Sequence, residues 1–168
     1  AEAEGYAKDR PDKAIKRPRY KLPQIIPFTD AEIISILKAC EYTRTSNTHG
    51  RMPYNMRRNS AERDKALISV LLDTGVRVSE CSRINVEDVN LDTGEIQIKP
   101  FGTGVKTNPR IVVMGRTTRK AVWKYFTKRE DLQPGDPLFV TREGYRMNRI
   151  NIRLVIDEIG KRAGVPKC

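Results

Sequence analysis

Apolar residues recur with helical spacing along most of this chain and change to strand-like alternation in one place only, between Val86 and Met114. Ile33, Ile36, Leu37 and Cys40 stand at i, i+3, i+4 and i+7, and Ala66, Leu67, Val70 and Leu71 make a second stripe. Each stripe predicts a helix with one buried face. The central stretch predicts short strands at residues 86–91, 95–99 and 110–114, with Asp92-Thr93-Gly94 as the first turn. Two more helices are expected over about residues 117–128 and 148–163. The order of helices, a small three-stranded antiparallel sheet and helices again predicts a mainly helical α+β fold.

The segment ends carry their own signals. Thr29 and Glu32 form a capping box, and Phe28 with Ile33 a hydrophobic staple, so the first helix starts there and runs to about Tyr42. The second spans about residues 60–73, and Gly75 stands where a left-handed residue would stop it. Beyond that turn, Ser79 or a neighbour is expected to cap a short helix, with Arg77 beside its N-terminus as an anion cradle. Cys40 reads as core, as does Trp123 beside Tyr125 and Phe126. Residues 44–60 hold Arg44, Arg51, Arg57 and Arg58 with no acid and read as a long, mobile basic loop. Residues 1–26, with seven basic side chains and three prolines, read as a linker or arm.

With 168 residues the chain is sized for one domain, and its 32 Lys+Arg against 21 Asp+Glu leave a net charge of +11. Three cysteines without a CxxC pair and a single histidine, His49, exclude a disulfide framework and a Cys/His zinc site. No apolar run is long enough to cross a bilayer, so a soluble, cytoplasmic protein is expected. The positive charge points to a polyanion, and it is segregated: residues 96–129 hold nine basic side chains and no acidic one. Near the last helix Arg146, Arg149 and Arg153 recur on one side, while Ile152, Val155, Ile156 and Ile159 line the other.

Thr74-Gly75-Val76-Arg77-Val78-Ser79-Glu80, following Arg63-Asp64-Lys65-Ala66-Leu67-Ile68 and preceding Ile84 and Asp88-Val89, strongly resembles the first catalytic box of the tyrosine recombinases, or phage integrases. Lys106-Thr107-Asn108-Pro109-Arg110-Ile111-Val112-Val113 resembles the Lys-Thr hairpin of many phage integrases. The resemblance runs from about Pro27 to Cys168, so it implies a partial catalytic domain over residues 27–168, preceded by a connection to a core-binding domain. In that family a tyrosine attacks a DNA phosphodiester, giving a 3′-phosphotyrosyl link and a free 5′-hydroxyl, with no metal or nucleotide cofactor.

By the same resemblance, Arg77 matches the first phosphate-binding arginine, and a guanidinium suits the charge that grows on nonbridging oxygens. Lys106 is the preferred donor of a proton to the leaving oxygen, with Lys99 as the alternative, because Gly102-Thr103-Gly104 has threonine where many relatives carry that lysine. Glu80 matches the box-one glutamate and reads as a structural partner of nearby cations. Arg44, Arg57, Arg58, Lys99, Arg110, Arg116, Arg119, Arg146, Arg149 and Arg153 are the expected DNA contacts. The family's His-x-x-Arg box and nucleophilic tyrosine do not occur within the 168 residues, and none of Tyr6, Tyr20, Tyr42, Tyr54, Tyr125 and Tyr145 takes that role. The expectation is therefore part of a recombinase that binds double-stranded DNA, inactive by itself and monomeric, from a parent that works as a tetramer on DNA. A recombinase-derived DNA-binding protein without cleavage activity is the first alternative, and an RNA-binding or structural protein the second.

Overall fold

The computed structural model describes residues 26–46, 49–50, 52–100 and 108–165. Among the described residues five α-helices and two strands follow one another: α1 Asp30–Glu41, α2 Ala61–Thr74, α3 Val78–Cys81, β1 Glu95–Ile98, β2 Arg110–Val113, α4 Arg116–Phe126 and α5 Arg149–Ala163. Helix α1 begins as its sequence requires. Thr29 Oγ1 accepts from Glu32 N at 3.3 Å, and Glu32 Oε2 accepts from Thr29 N at 2.7 Å. Gly75 ends α2 at φ 63° and donates its N–H to Leu71 O. At α4 the cap comes from a distance: Gly115 N donates to Asp73 Oδ2 at 2.6 Å, fastening the start of α4 to the end of α2.

α2 is the axis of the packing. Its Ala66, Leu67 and Val70 meet Ala121, Val122 and Tyr125 of α4, Ile96 and Ile98 of β1, and Leu138, Phe139 and Ile152 in the larger core cluster. On the other side Ile68 joins Ile36 and Cys40 of α1 and Ile159 of α5. Each large aliphatic side chain buried this way contributes about 1.5–3 kcal/mol. Cys40 and Cys81 are buried free thiols, and burial pushes each thiol up to about 12, so both behave as core residues.

The sheet has two strands among the described residues, not the three expected. β1 and β2 pair antiparallel from Glu95↔Val113 to Ile98↔Arg110. Residues 86–91 do not make the outer strand because their backbone bonds go elsewhere. Val86 N donates to Asp136 O and Glu87 N to Pro134 O, while Asp88 Oδ2 accepts from Asn85 N at 2.9 Å and closes a 3-10 turn over Val86–Asp88. One bridge, Val89↔Ile96, is all that remains of the third strand. The expected mobile loop after α1 also differs: Tyr42↔Arg57 and Ser46↔Tyr54 pair across it, so its described parts form a narrow antiparallel excursion. Trp123 is not core. It stands 55% exposed on α4, while its neighbour Tyr125 packs inward and stacks on Phe139.

Candidate phosphate-binding site

The turn at Gly75 brings the chain back sharply, Val76 anchors it in the core, and Arg77 follows in extended conformation (φ −67°, ψ 146°) as the cap residue of α3. Of Ser79 and its neighbours, the capping group is Glu80, whose Oε2 accepts from Arg77 N at 3.0 Å. Glu80 Oε1 accepts from Arg77 Nη1 at 3.1 Å. From across the fold, Arg110 at the first position of β2 adds a two-pronged contact, Nη1 to Oε1 at 3.1 Å and Nη2 to Oε2 at 2.8 Å. The Glu80 side chain is completely enclosed, and that of Arg77 is 67% exposed. The hydrogen bonds from Arg110, then those from the Arg77 backbone and guanidinium, outweigh burial and hold the Glu80 carboxyl down at about 2.

The arrangement is a buried anion carrying two guanidinium groups, one of which faces solvent. Only Nη1 of Arg77 is bonded among the described residues, so the rest of its fork is available to an outside anion. Lys99, just past the end of β1, lies 2.5 Å from Asp88 Oδ1 and 2.9 Å from Glu87 Oε1. Those two carboxylates, Asp88 first, raise its pKa above the ordinary lysine value. Lys106 lies outside the described residues.

The other expected contacts separate into two groups. Arg44, Arg116, Arg149 and Arg153 are exposed. Arg58 is turned inward, with Nη1 2.7 Å from Asp64 Oδ2 and donating to Cys40 O. Arg57 pairs with Glu62, and Arg119 donates to Asp92 O at 2.7 Å. Arg146 ties down the segment before the 3-10 turn through Ser82 O, Ile84 O and Asn85 Oδ1. In sequence Arg110 reads as a DNA contact, and nothing there reveals that it grips Glu80. Nor does the sequence reading single out Asp64, a fully buried carboxylate held by Arg58, Arg63 and Ser60. The available signal is Asp64's spacing with Ala61 and Ile68, on the buried side of α2.

Residues 28–167 match the profile of the phage integrase family. The tyrosine recombinase XerD of Staphylococcus epidermidis is 31% identical over 170 residues, which cover 98% of this chain and 51% of that protein. The tyrosine recombinase XerC of Thermodesulfovibrio yellowstonii is 27% identical over 173 residues, covering 97% and 50%. Among solved structures, the crystal structure of XerA recombinase superposes with a TM-score of 0.65 at 28% identity, over 88% of this chain and 46% of the other. The Tn1549 transposon integrase, solved in complex with circular intermediate DNA, shares the fold at a TM-score of 0.59 and 20% identity, over 83% and 46%. The chain spans about half the length of the curated relatives it matches. A profile match over most of its length, with helices and hairpin arranged as in solved recombinases, shows that the chain belongs to the phage integrase family of tyrosine recombinases.

Proposed function

We propose that this chain is the larger, N-terminal part of the catalytic domain of a site-specific recombinase, and that it binds double-stranded DNA with the scissile phosphate at Arg77. The observation that carries this reading is the solvent-facing guanidinium of Arg77 fixed by the enclosed Glu80 carboxylate, with Arg110 completing the clamp. A charge held in place before the substrate arrives stabilises the negative charge that grows on nonbridging oxygens without further reorganisation. In the complete protein a tyrosine outside these residues attacks phosphorus, the 3′-phosphotyrosyl bond forms as the bond to the 5′ oxygen breaks, and Lys106 protonates that oxygen. The state of Lys99 supports Lys106 as the donor, since two carboxylates hold the Lys99 proton and raise its pKa above the ordinary lysine value. Arg44, Arg116, Arg149 and Arg153 add phosphate contacts, and the complete recombinase assembles as a tetramer on paired sites while this chain alone is monomeric.

Binding is tested with the chain itself by fluorescence anisotropy on a labelled duplex, where Arg77→Ala is expected to weaken affinity with unchanged folding. Cleavage is tested in a protein joining this chain to the family's His-x-x-Arg box and tyrosine. A covalent protein–DNA adduct is expected on a nicked duplex, and Arg77→Ala should lower its yield by about 100-fold or more. An adduct formed at the original rate by the Arg77→Ala protein would overturn the assignment.

A further inference from the structure

Apart from Arg116, the solvent side of α4 is not accounted for by the duplex contacts around Arg77. Arg116, Lys120, Trp123 and Lys124 all project from one side of this helix and are all exposed, while Thr118, Ala121, Val122 and Tyr125 form the buried side. The helix contains no acidic residue. Trp123, the one tryptophan of the chain, stands near the middle of the cationic stripe with more than half its surface in water. A shallow cleft beside it is lined by Leu91, Asp92, Arg116, Thr117, Lys120 and Trp123. An indole placed opposite the core leaves more than half of its surface in water, and lysines alone would give the solubility that a plain solvated face needs.

We infer that this face of α4 binds an unpaired stretch of nucleic-acid strand, with a base stacked on Trp123 and neighbouring phosphates held by Arg116, Lys120 and Lys124. The chemistry selects a single strand over a duplex. An indole stacks on a base whose face is free, and in a duplex those faces are covered by the neighbouring base pairs. The cations stand at i, i+4 and i+8, about 6 Å apart along the helix axis, and so form a row that can follow a backbone. The site goes beyond the Arg77 reading and can stand or fall without it.

Because Trp123 is the only tryptophan, intrinsic fluorescence of the 168-residue chain reports directly on this face. Titration with short oligothymidylate is expected to quench it to saturation, with log affinity falling against log salt at a slope of about −2 for three cations on a single strand. Oligouridylate in parallel shows whether deoxyribose matters, and quenching by either supports the inference. A blunt duplex of the same length should quench much less. Anisotropy of a labelled oligothymidylate is expected to show about a tenfold or greater loss for Trp123→Ala, retention for Trp123→Phe, and loss for the Lys120→Glu, Lys124→Glu double variant. Circular dichroism checks that each variant is folded. Absence of quenching by single strands, equal quenching by duplex, or equal quenching by polyglutamate would overturn the inference, the last assigning the face to an acidic protein partner. Arg77→Ala is expected to leave oligothymidylate binding intact while weakening duplex binding, so failure of one site is distinguishable from failure of the other.

Discussion

Arg110 straddles the carboxylate of Glu80, reaching Oε1 with Nη1 at 3.1 Å and Oε2 with Nη2 at 2.8 Å. The two residues belong to different parts of the fold, Glu80 to the short helix that begins at Arg77 and Arg110 to the first position of β2. Lys106 is four residues upstream of Arg110 in the sequence. One buried carboxylate therefore ties the first residue of β2 to the segment that presents Arg77.

Loss of that clamp should be measurable as stability. Arg110→Ala takes two charge-assisted hydrogen bonds from an enclosed carboxylate, and the expected cost is about 2 kcal/mol, read as a lower urea midpoint at unchanged slope. Arg110→Lys should recover only part of it, because an ammonium cannot span both oxygens as the guanidinium fork does. If Arg110→Ala melts like the parent, the clamp contributes nothing to stability.

Acid should dissolve the same interaction in a defined window. The Glu80 carboxyl is held at about 2 in the fold, against an ordinary value of 4.5. A depressed carboxyl contributes stability that is fully present above its ordinary value and is lost as pH falls through its folded one. The contribution is about 3 kcal/mol at neutral pH and decays between about pH 4.5 and 2. Glu80→Gln cannot lose what it never had, so parent and variant should differ by about that amount at pH 7 and converge near pH 2 in denaturant melts. A difference independent of pH would mean that the glutamine disturbs packing and not charge.

The helices are legible in the sequence because each carries its period and its stop signals locally: the Thr29–Glu32 box, Gly75 at φ 63° and the stripe of Ile36 and Cys40 are all visible in short windows. The third strand is misread because its competitor is distant. Residues 134–136 claim the backbone N–H groups of Val86 and Glu87, and nothing in residues 86–91 announces that. Trp123 reads as core because an aromatic beside Tyr125 and Phe126 suggests packing, yet it falls on the solvent arc of α4, opposite Ala121, Val122 and Tyr125. For the site, Arg77 and Glu80 are readable as a motif, whereas the Arg110 clamp spans thirty positions and needs the fold.

Arg58 and Asp64 separate folding from binding among the basic residues. Asp64 is fully buried and held by Arg58 at 2.7 Å, Arg63 at 2.7 Å and Ser60 at 2.9 Å. Asp64→Ala should cost about 3–5 kcal/mol, since two inward-facing guanidinium groups lose their counter-charge. Arg58→Ala should cost less in the same urea melts and leave duplex affinity close to that of the parent wherever the protein is folded. A folded Arg58→Ala protein with several-fold weaker duplex binding would return Arg58 to the DNA contacts.

Arg149 and Arg153 should behave in the opposite way. Both are exposed on α5, one turn apart, while Ile152 and Ile159 anchor the helix from its other side. Their removal leaves no buried group unpaired, so Arg149→Ala and Arg153→Ala should change stability by less than about 0.5 kcal/mol. Removing one guanidinium that neutralises a phosphate should reduce the slope of log affinity against log salt by about 0.9 on duplex DNA, and removing both by about 1.8. The measurement is a salt series of duplex affinities for parent, single and double variants. Parallel lines would show that the deleted side chain neutralised no phosphate, and an unchanged affinity at every salt concentration would remove this face of α5 from the DNA interface.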